Sequence, residues 1–162
     1  MKIEYVTNDN FIIYLNKYHL KDLKLNYKKS VEEYFKKLFR SLNKVYHLEI
    51  EGYYNVKVHE NSIYGIIIEV DKLCNEYFSI GGNKVDMKIT INLDNLFLYE
   101  IDDYFILDTL KDNIKNIYYH HQYYIELKDE IDDKAYNFLL ENSNIIYNDK
   151  VNDLLKLSLK LM

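Results

Sequence analysis

The feature that most constrains the fold is a long amphipathic segment beginning at Ser30. Its apolar residues recur every three or four positions, the spacing that places side chains on one face of an α-helix. They are Val31, Tyr34, Phe35, Leu38, Phe39, Leu42 and Val45. Ser30 and Glu33 have the Ser-x-x-Glu pattern of a capping box, so we predict that the helix begins there. An apolar stripe of this width needs a sheet or another helix to cover it.

A β-hairpin is predicted on the N-terminal side of this helix. Ile3 and Tyr5 alternate with polar residues, as they do in a strand with one buried face. The run Thr7-Asn8-Asp9-Asn10 has the composition of a turn, and Phe11 to Leu15 is typical of the returning strand. The segment from Tyr18 to Leu25 is ambiguous, and its leucines suggest a short helical turn.

A second hairpin is predicted after the helix. Apolar and polar residues alternate from Tyr54 to Val58, and residues 59–62 have turn composition. The following run, 63–70, is almost entirely apolar, which is typical of a central strand buried on both faces. Residues 1–71 are therefore predicted to form an N-terminal lobe with the order β-β-α-β-β.

Residues 72–84 are predicted to be a linker. Polarity rises in this segment, and Gly81-Gly82 interrupts any regular structure. The alternative is a structural loop inside one domain.

Residues 85–162 are predicted to form a C-terminal lobe with the order β-β-α-β-β-α-β-α. The lobe opens on strict alternation from Val85 to Leu93. The acidic pairs Asp102-Asp103 and Asp132-Asp133 precede helical patterns and are typical of helix N-caps. The last helix is predicted to include Val151 to Leu161. The fold class is therefore predicted as α+β, with two small lobes that each pack helices on one face of an antiparallel sheet.

Composition narrows the function class. The formal net charge is −5 and Arg40 is the one arginine, so an overall attraction to phosphate backbones and the arginine forks that bind them are not expected. A lysine-rich patch between Lys21 and Arg40 is interpreted as a solvated helix face. A single cysteine, Cys74, fits a reducing compartment. No apolar run approaches the roughly 18 residues that would cross a bilayer. We therefore expect a soluble cytoplasmic protein that binds neither nucleic acid nor membrane.

No catalytic constellation stands out. The sequence has no glycine-rich phosphate loop, no nucleophile elbow and no His-Glu-x-x-His motif. His120 and His121 are adjacent, but no acidic or cysteine partner is placed to complete a metal shell. Cys74 has no identifiable base. We expect no catalytic residue, no metal, no cofactor and no enzymatic activity. A small-molecule-binding regulatory module and an enzyme of unrecognised type remain as alternatives.

A tyrosine-rich hairpin is the main candidate for recognition. Tyr118, Tyr119, Tyr123 and Tyr124 flank a tight turn, so half of these rings must face the core and half must face outward. Outward tyrosines provide stiff contact area and are enriched at protein interfaces. We predict that these four residues and Glu126 bind a partner. The alternative is that they form ordinary cross-strand aromatic pairs.

The order of elements resembles that of the MecA-type adaptors, which deliver proteins to the ClpC unfoldase of Gram-positive bacteria. The N-terminal matches are Met1-Lys2-Ile3-Glu4, Thr7-Asn8-Asp9-Asn10, Phe11 to Leu15, the helix from Ser30, and Glu51-Gly52 before a hairpin ending at Val70. The C-terminal matches are Leu98 to Asp103 before a helix, the hairpin Ile117 to Leu127, and the helix Tyr136 to Glu141. Together these matches span about two thirds of the chain.

The resemblance implies a division of labour between the lobes. It implies that residues 1–71 take up client proteins and that residues 85–162 engage a Clp-type unfoldase. It implies a role in regulated proteolysis and no cofactor. A homodimer is an open alternative for the assembly.

Overall fold

Two compact units make up the structure, which is a computed structural model. It describes residues 1–17, 28–46, 51–61, 63–74, 85–129 and 131–162. Unit 1 is Met1–Asp94 and unit 2 is Asn95–Met162. Each unit combines α-helix with a largely antiparallel sheet, so the predicted α+β class with two sheet lobes is confirmed.

Unit 1 is a five-stranded sheet with one long helix. Its elements are β1 (Lys2–Tyr5), β2 (Asn10–Asn16), α1 (Lys28–Tyr46), β3 (Gly52–Asn61), β4 (Gly65–Cys74) and β5 (Val85–Asn92). The spatial order is β1-β2-β4-β3-β5, and every neighbouring pair is antiparallel except β3 with β5, which is parallel. The predicted helical turn at residues 18–25 lies outside the described residues.

Helix α1 forms the core of unit 1 with one face of this sheet. Its buried residues are Val31, Phe35, Phe39 and Leu42, and Tyr34 and Leu38 pack partly buried against them. The ring of Phe39 contacts Phe11 and Tyr54, with centroid distances of 6.1 and 5.5 Å. Two details of the prediction were wrong. The helix begins at Lys28, so Ser30 lies within it, and Val45 is 66% exposed because it lies beyond the sheet-covered stripe.

Strand β4 is the central strand, as predicted. It lies between β2 and β3 in the sheet. Consecutive side chains in a strand point to opposite faces, and Ile66, Ile67 and Ile68 are all buried, so both faces of β4 are covered. The predicted turn at 59–62 was wrong because β3 continues to Asn61. The Asn61 Oδ1 atom accepts hydrogen bonds from the amides of Ile63 and Tyr64, at 2.9 and 3.0 Å, and this side chain organises the actual turn.

The predicted boundary between the lobes requires correction. Strand β5 belongs to unit 1, because all eight of its residues pair with β3, from Gly52 opposite Val85 to His59 opposite Asn92. Its apolar side chains extend the α1 core, in which Met87 is buried. The boundary therefore follows Asp94. Of the predicted linker at 72–84, the first three residues end β4 and the rest lie outside the described residues.

Unit 2 is a second five-stranded sheet with three short helices. Its elements are β6 (Leu98–Ile101), α2 (Tyr104–Leu110), a 3₁₀ turn (Lys111–Asn113), β7 (Ile114–His120), β8 (Gln122–Leu127), α3 (Asp133–Asn142), β9 (Asn144–Ile146), α4 (Asp149–Leu157) and β10 (Leu159–Lys160). The spatial order is β10-β7-β8-β6-β9, and every neighbouring pair is antiparallel. Among the described residues, no helix has the length and apolar character needed to cross a membrane.

The acidic pairs cap helices as predicted. The Asp103 side chain accepts from the Phe105 amide at 2.8 Å, and the Asp132 side chain accepts from the Ala135 amide at 2.9 Å.

The packed residues of unit 2 include Tyr99, Ile101, Ile125, Ile106, Leu107, Leu110, Tyr136, Leu139 and Val151. The ring of Tyr136 in α3 lies against Tyr99 in β6, with centroids 6.4 Å apart.

The end of the last helix differs from the prediction. Helix α4 stops at Leu157, and the chain continues as the short strand β10. The Ser158 hydroxyl donates to the Leu154 carbonyl oxygen at 2.6 Å while the Ser158 backbone becomes extended. One of the carbonyl groups left open at the helix end is satisfied in this way, and the chain can turn into the sheet.

Candidate protein-binding site

The tyrosine-rich hairpin forms as predicted from β7 and β8. Tyr118 lies opposite Tyr124, and Tyr119 lies opposite Tyr123. His121 forms the tip with a positive φ of 61°, a conformation that histidine adopts more readily than most non-glycine residues. Directly opposite residues of an antiparallel pair share a face, so each tyrosine pair belongs to one side of the sheet.

The two tyrosine pairs lie on opposite faces of the sheet. Tyr118 and Tyr124 share their face with Glu126, because residues two apart in a strand point the same way. Tyr119 and Tyr123 lie on the other face. This second face also carries Tyr99, against which α3 packs, so it is the face that bears the helical core.

Glu126 is the centre of a polar network on the first face. The residue is only 8% exposed. Its Oε1 atom lies 2.8 Å from the Lys115 Nζ atom. Its Oε2 atom accepts from the Asn116 Nδ2 atom at 2.6 Å and from the Tyr118 hydroxyl at 3.2 Å. Three donors therefore converge on one carboxylate, which satisfies it as a buried anion.

An irregularity in β7 makes this convergence possible. The register of β7 against β8 shifts between Ile114 and Asn116, which leaves Lys115 as an extra residue. A bulge of this kind disrupts the strict alternation of side chains. As a result, the consecutive residues Lys115 and Asn116 both reach Glu126.

The network determines the charge states of its members. Burial acts to raise the pKa of Glu126, but the hydrogen bonds from Lys115, Asn116 and Tyr118 and the charge of Lys115 together outweigh it, and the net pKa is lowered. The pKa of Lys115 is raised by its hydrogen bond to Glu126 and by the charge of that carboxylate. Burial, followed by the negative charge of Glu126, raises the pKa of Tyr118. Each shift favours an ionised pair beside a neutral tyrosine.

Tyr124 is held by a second carboxylate on the same face. Its hydroxyl donates to the Glu100 Oε1 atom at 3.2 Å, and the Asn144 Nδ2 atom donates to the Glu100 Oε2 atom at 3.2 Å. Burial and then the charge of Glu100 raise the pKa of Tyr124. These bonds join β8 to β6 and β6 to β9, so they tie three strands together through side chains.

An exposed apolar row lies on the opposite face of the same hairpin. Tyr119 is 40% exposed and Tyr123 is 38% exposed, with their ring centroids 5.2 Å apart. Strand β10 pairs with β7 along the edge of β7 that faces away from β8. In that pairing Leu159 lies directly opposite Tyr119, and Leu159 is 67% exposed. We call Leu159, Tyr119 and Tyr123 the tyrosine row. It extends across three adjacent strands, and a surface of this kind suits contact with another protein.

The structure divides the five residues predicted to bind a partner. Tyr119 and Tyr123 are available at the surface. Tyr124 and Glu126 are buried and Tyr118 is half-buried, so these three hold the hairpin together instead of presenting contact area. The rings lie two on each face of the sheet, as the alternation requires. The exposed pair, Tyr119 and Tyr123, lies on the face that carries the helices, and the more buried pair lies on the other face.

Several participating residues were missed from the sequence. Leu159 was assigned to a helix, although Leu157, Leu159 and Leu161 also alternate as they would in a strand. Lys115 was not singled out because a bulge has no distinctive sequence signal here. Glu100 lies in β6, and its contact with Tyr124 depends on a pairing between segments distant in sequence.

The other candidate sites are weaker. The His120 and His121 rings lie close together, with centroids 4.4 Å apart. Among the described residues, no group of three or more His, Cys, Asp or Glu side chains could hold a metal ion. A groove of about 440 Å³ lies along α1 and is lined by Ser30, Glu33, Tyr34, Lys37, Leu38 and Ser41.

Comparison of the chain with protein-family models, with curated proteins and with solved structures found no match.

Proposed function

We propose that this chain is a cytoplasmic, non-catalytic adaptor that binds client proteins and presents them to a Clp-type ATP-dependent unfoldase. The observation that carries the proposal is the tyrosine row, in which three large apolar side chains are each more than a third exposed. Tyrosine gives a large contact area at a low cost in conformational entropy. Residues of this type dominate binding energy when a partner buries them.

The rigid sheet beneath the tyrosine row supports a role in binding a partner protein. Two of the row's three strands, β7 and β8, are held from the opposite face by the hydrogen bonds of Glu126 and Glu100. A site built on a fixed sheet loses less entropy on binding than a site on a loose loop. The row therefore has the stiffness that a docking surface requires.

The two-unit organisation supports the adaptor role. Each unit has its own packed residues, and adaptors need one surface for the client and another for the unfoldase. Linking two weak sites in one chain raises the effective concentration of each, so neither needs high affinity. The order of elements supports the same assignment through its resemblance to MecA-type adaptors. By that resemblance, unit 1 takes up the client and unit 2 engages the unfoldase.

Binding to a purified ClpC-type unfoldase, measured by biolayer interferometry on the immobilised full chain, tests the proposal. The double variant Tyr119→Ser/Tyr123→Ser is expected to bind about tenfold more weakly or worse, because loss of an aromatic anchor typically costs more than 1 kcal/mol. Its melting temperature should change little, since both rings are at the surface. Tyr104→Ser is the matched control, because Tyr104 lies in the same unit and is 76% exposed.

Two results would contradict the proposal in different ways. Failure of the wild-type chain to bind the unfoldase would remove the assignment to regulated proteolysis. Equal binding by the wild type and the double variant, with Tyr104→Ser also unchanged, would show that the tyrosine row is not the contact surface.

A second candidate function is a small-molecule-binding regulatory module. The groove along α1 favours it, because its volume of about 440 Å³ is within the range of ligand pockets and Glu33, Lys37 and Ser41 provide polar groups. A metabolite that raises the melting temperature of the wild type but not of Lys37→Ala would favour this module over the adaptor.

A further inference from the structure

Strand β10 forms one edge of the sheet in unit 2. In the part of the chain that the structure describes, it pairs with β7 alone. The Leu161 amide, next along the chain, donates to the Ile117 carbonyl oxygen at 2.8 Å. Backbone groups in an antiparallel ladder alternate in direction, so the N–H and C=O groups of Lys160 point away from β7. These groups can accept one further strand.

The side chains along this edge also alternate. Leu159 points to the face of the tyrosine row and is 67% exposed. Leu161, which follows β10, is 57% exposed. Lys160 points to the opposite face, is exposed, and has no ion pair among the described residues. The edge therefore presents an apolar, basic, apolar sequence of side chains beside the exposed rings.

We propose that the outer edge of β10 binds an extended segment of a partner protein as an added strand, with an acidic residue between two apolar residues. The residue opposite Lys160 would share its face, where a carboxylate pairs with the ammonium group. The two neighbours of that residue would point to the other face, which carries Leu159 and the tyrosine row, and the exposed Leu161 adds apolar surface at the end of the edge. Added strands gain affinity from main-chain hydrogen bonds and specificity from alternate side chains.

Charge favours this partner over a second copy of the chain. Two β10 edges that paired antiparallel about Lys160 would place the two lysines directly opposite each other, and like charges in that position are destabilising. A partner with a carboxylate at the same point makes a favourable pair instead. The inference rests on the proposed function in one respect, namely that unit 2 is the unit that binds another protein.

Selection of random dodecapeptides displayed on phage, with the immobilised full chain as bait, tests the inference. The wild type is expected to enrich peptides with an apolar–acidic–apolar pattern. Lys160→Glu should instead enrich apolar–basic–apolar peptides and weaken individual wild-type-selected peptides by about tenfold or more. Lys150→Glu, which changes an exposed lysine of α4, should select as the wild type does.

A backbone variant tests the added strand separately from the charge. Lys160→Pro removes an N–H group that points away from β7, so the melting temperature should change little while peptide enrichment is lost. If this variant fails to fold, the charge reversal by Lys160→Glu still decides the question.

Three outcomes would overturn the inference. The first is that the wild type enriches no peptide pattern, and the second is that the wild type and Lys160→Glu enrich the same pattern. The third is a dimer of the wild type in sedimentation velocity that Lys160→Pro abolishes, because that result would assign the edge to a second copy of the chain. The proposed function is tested independently. Peptide enrichment without unfoldase binding would contradict the adaptor role and support the added strand, and the reverse result would contradict the added strand alone.

Discussion

The Phe35→Asp variant is expected to lose the folded state of unit 1. Phe35 is fully buried, and its ring lies against Tyr34 and Phe39, with centroid distances of 5.5 and 6.5 Å. Removal of a buried phenylalanine side chain costs about 3–5 kcal/mol, and an unpaired buried carboxylate adds several kcal/mol more. Domains of ordinary size are stable by about 5–15 kcal/mol, so this change removes most or all of that margin.

Urea denaturation followed by circular dichroism measures this effect, and α1 itself supplies the controls. Val45→Asp should unfold at nearly the wild-type urea concentration, because Val45 is exposed on the same helix. Leu38→Asp should give an intermediate loss, since Leu38 is only partly buried against the core. Equal midpoints for Phe35→Asp and Val45→Asp would mean that the assigned face of α1 is wrong.

The Glu126→Gln variant is expected to lose about 1.5–3 kcal/mol of stability at neutral pH, the range for hydrogen bonds to a charged group. A carboxylate accepts from Lys115, Asn116 and Tyr118 with two oxygens. An amide offers one oxygen, so at least one of these donors would face another donor. The fold should survive, because glutamine has the same shape and carries no unpaired charge.

The pH dependence of the stability difference between the wild type and Glu126→Gln tests whether the ionised carboxylate causes that difference. The folded pKa of Glu126 is lowered from an ordinary value of 4.5. The stabilisation is therefore complete above the unfolded pKa and is lost as pH falls through the lower folded pKa. The stability gap between wild type and Glu126→Gln should shrink as pH falls below 4.5. A gap that persists unchanged at low pH would contradict this account, and Glu141→Gln, at an exposed site in α3, is the control.

Local periodicity was sufficient to predict the strongest elements. The stripe from Val31 to Leu42 repeats with the period of a helix, and it packs in the core of unit 1. The uninterrupted apolar run in β4 is typical of a strand buried on both faces, and Ile66, Ile67 and Ile68 are all buried. The caps at Asp103 and Asp132 were also predictable, because a cap depends on residues three or fewer positions away.

Pairing between distant segments was not predictable in the same way. Alternation from Val85 to Leu93 indicates which side chains share a face, but it does not indicate which sheet receives the strand. The β5 strand joins unit 1 because its apolar side continues the surface beneath α1. Its partners lie in β3, a strand much earlier in the chain, where Gly52 pairs with Val85 and His59 with Asn92. For the same reason, the end of α4 was misread, since Leu159 is fixed in β10 by its pairing with Tyr119.

The candidate site was predicted in part. Alternation in the hairpin requires two tyrosines on each face, and the four rings are arranged in that way. The pair that becomes exposed depends on where the helices cover the sheet, which is a property of the whole of unit 2. Glu126 was included as a partner-binding residue, but the bulge at Lys115 and the burial of the carboxylate make it a structural support.

Hydrogen–deuterium exchange of the full chain, with and without a purified ClpC-type unfoldase, tests the central claim most directly. That claim is that a partner protein docks on the tyrosine row of unit 2. The account predicts slower amide exchange in peptides covering β7, β8 and residues 157–162 when the unfoldase is present, with little change along α1. Protection confined to unit 1, with exchange in those peptides of unit 2 unaltered, would contradict it.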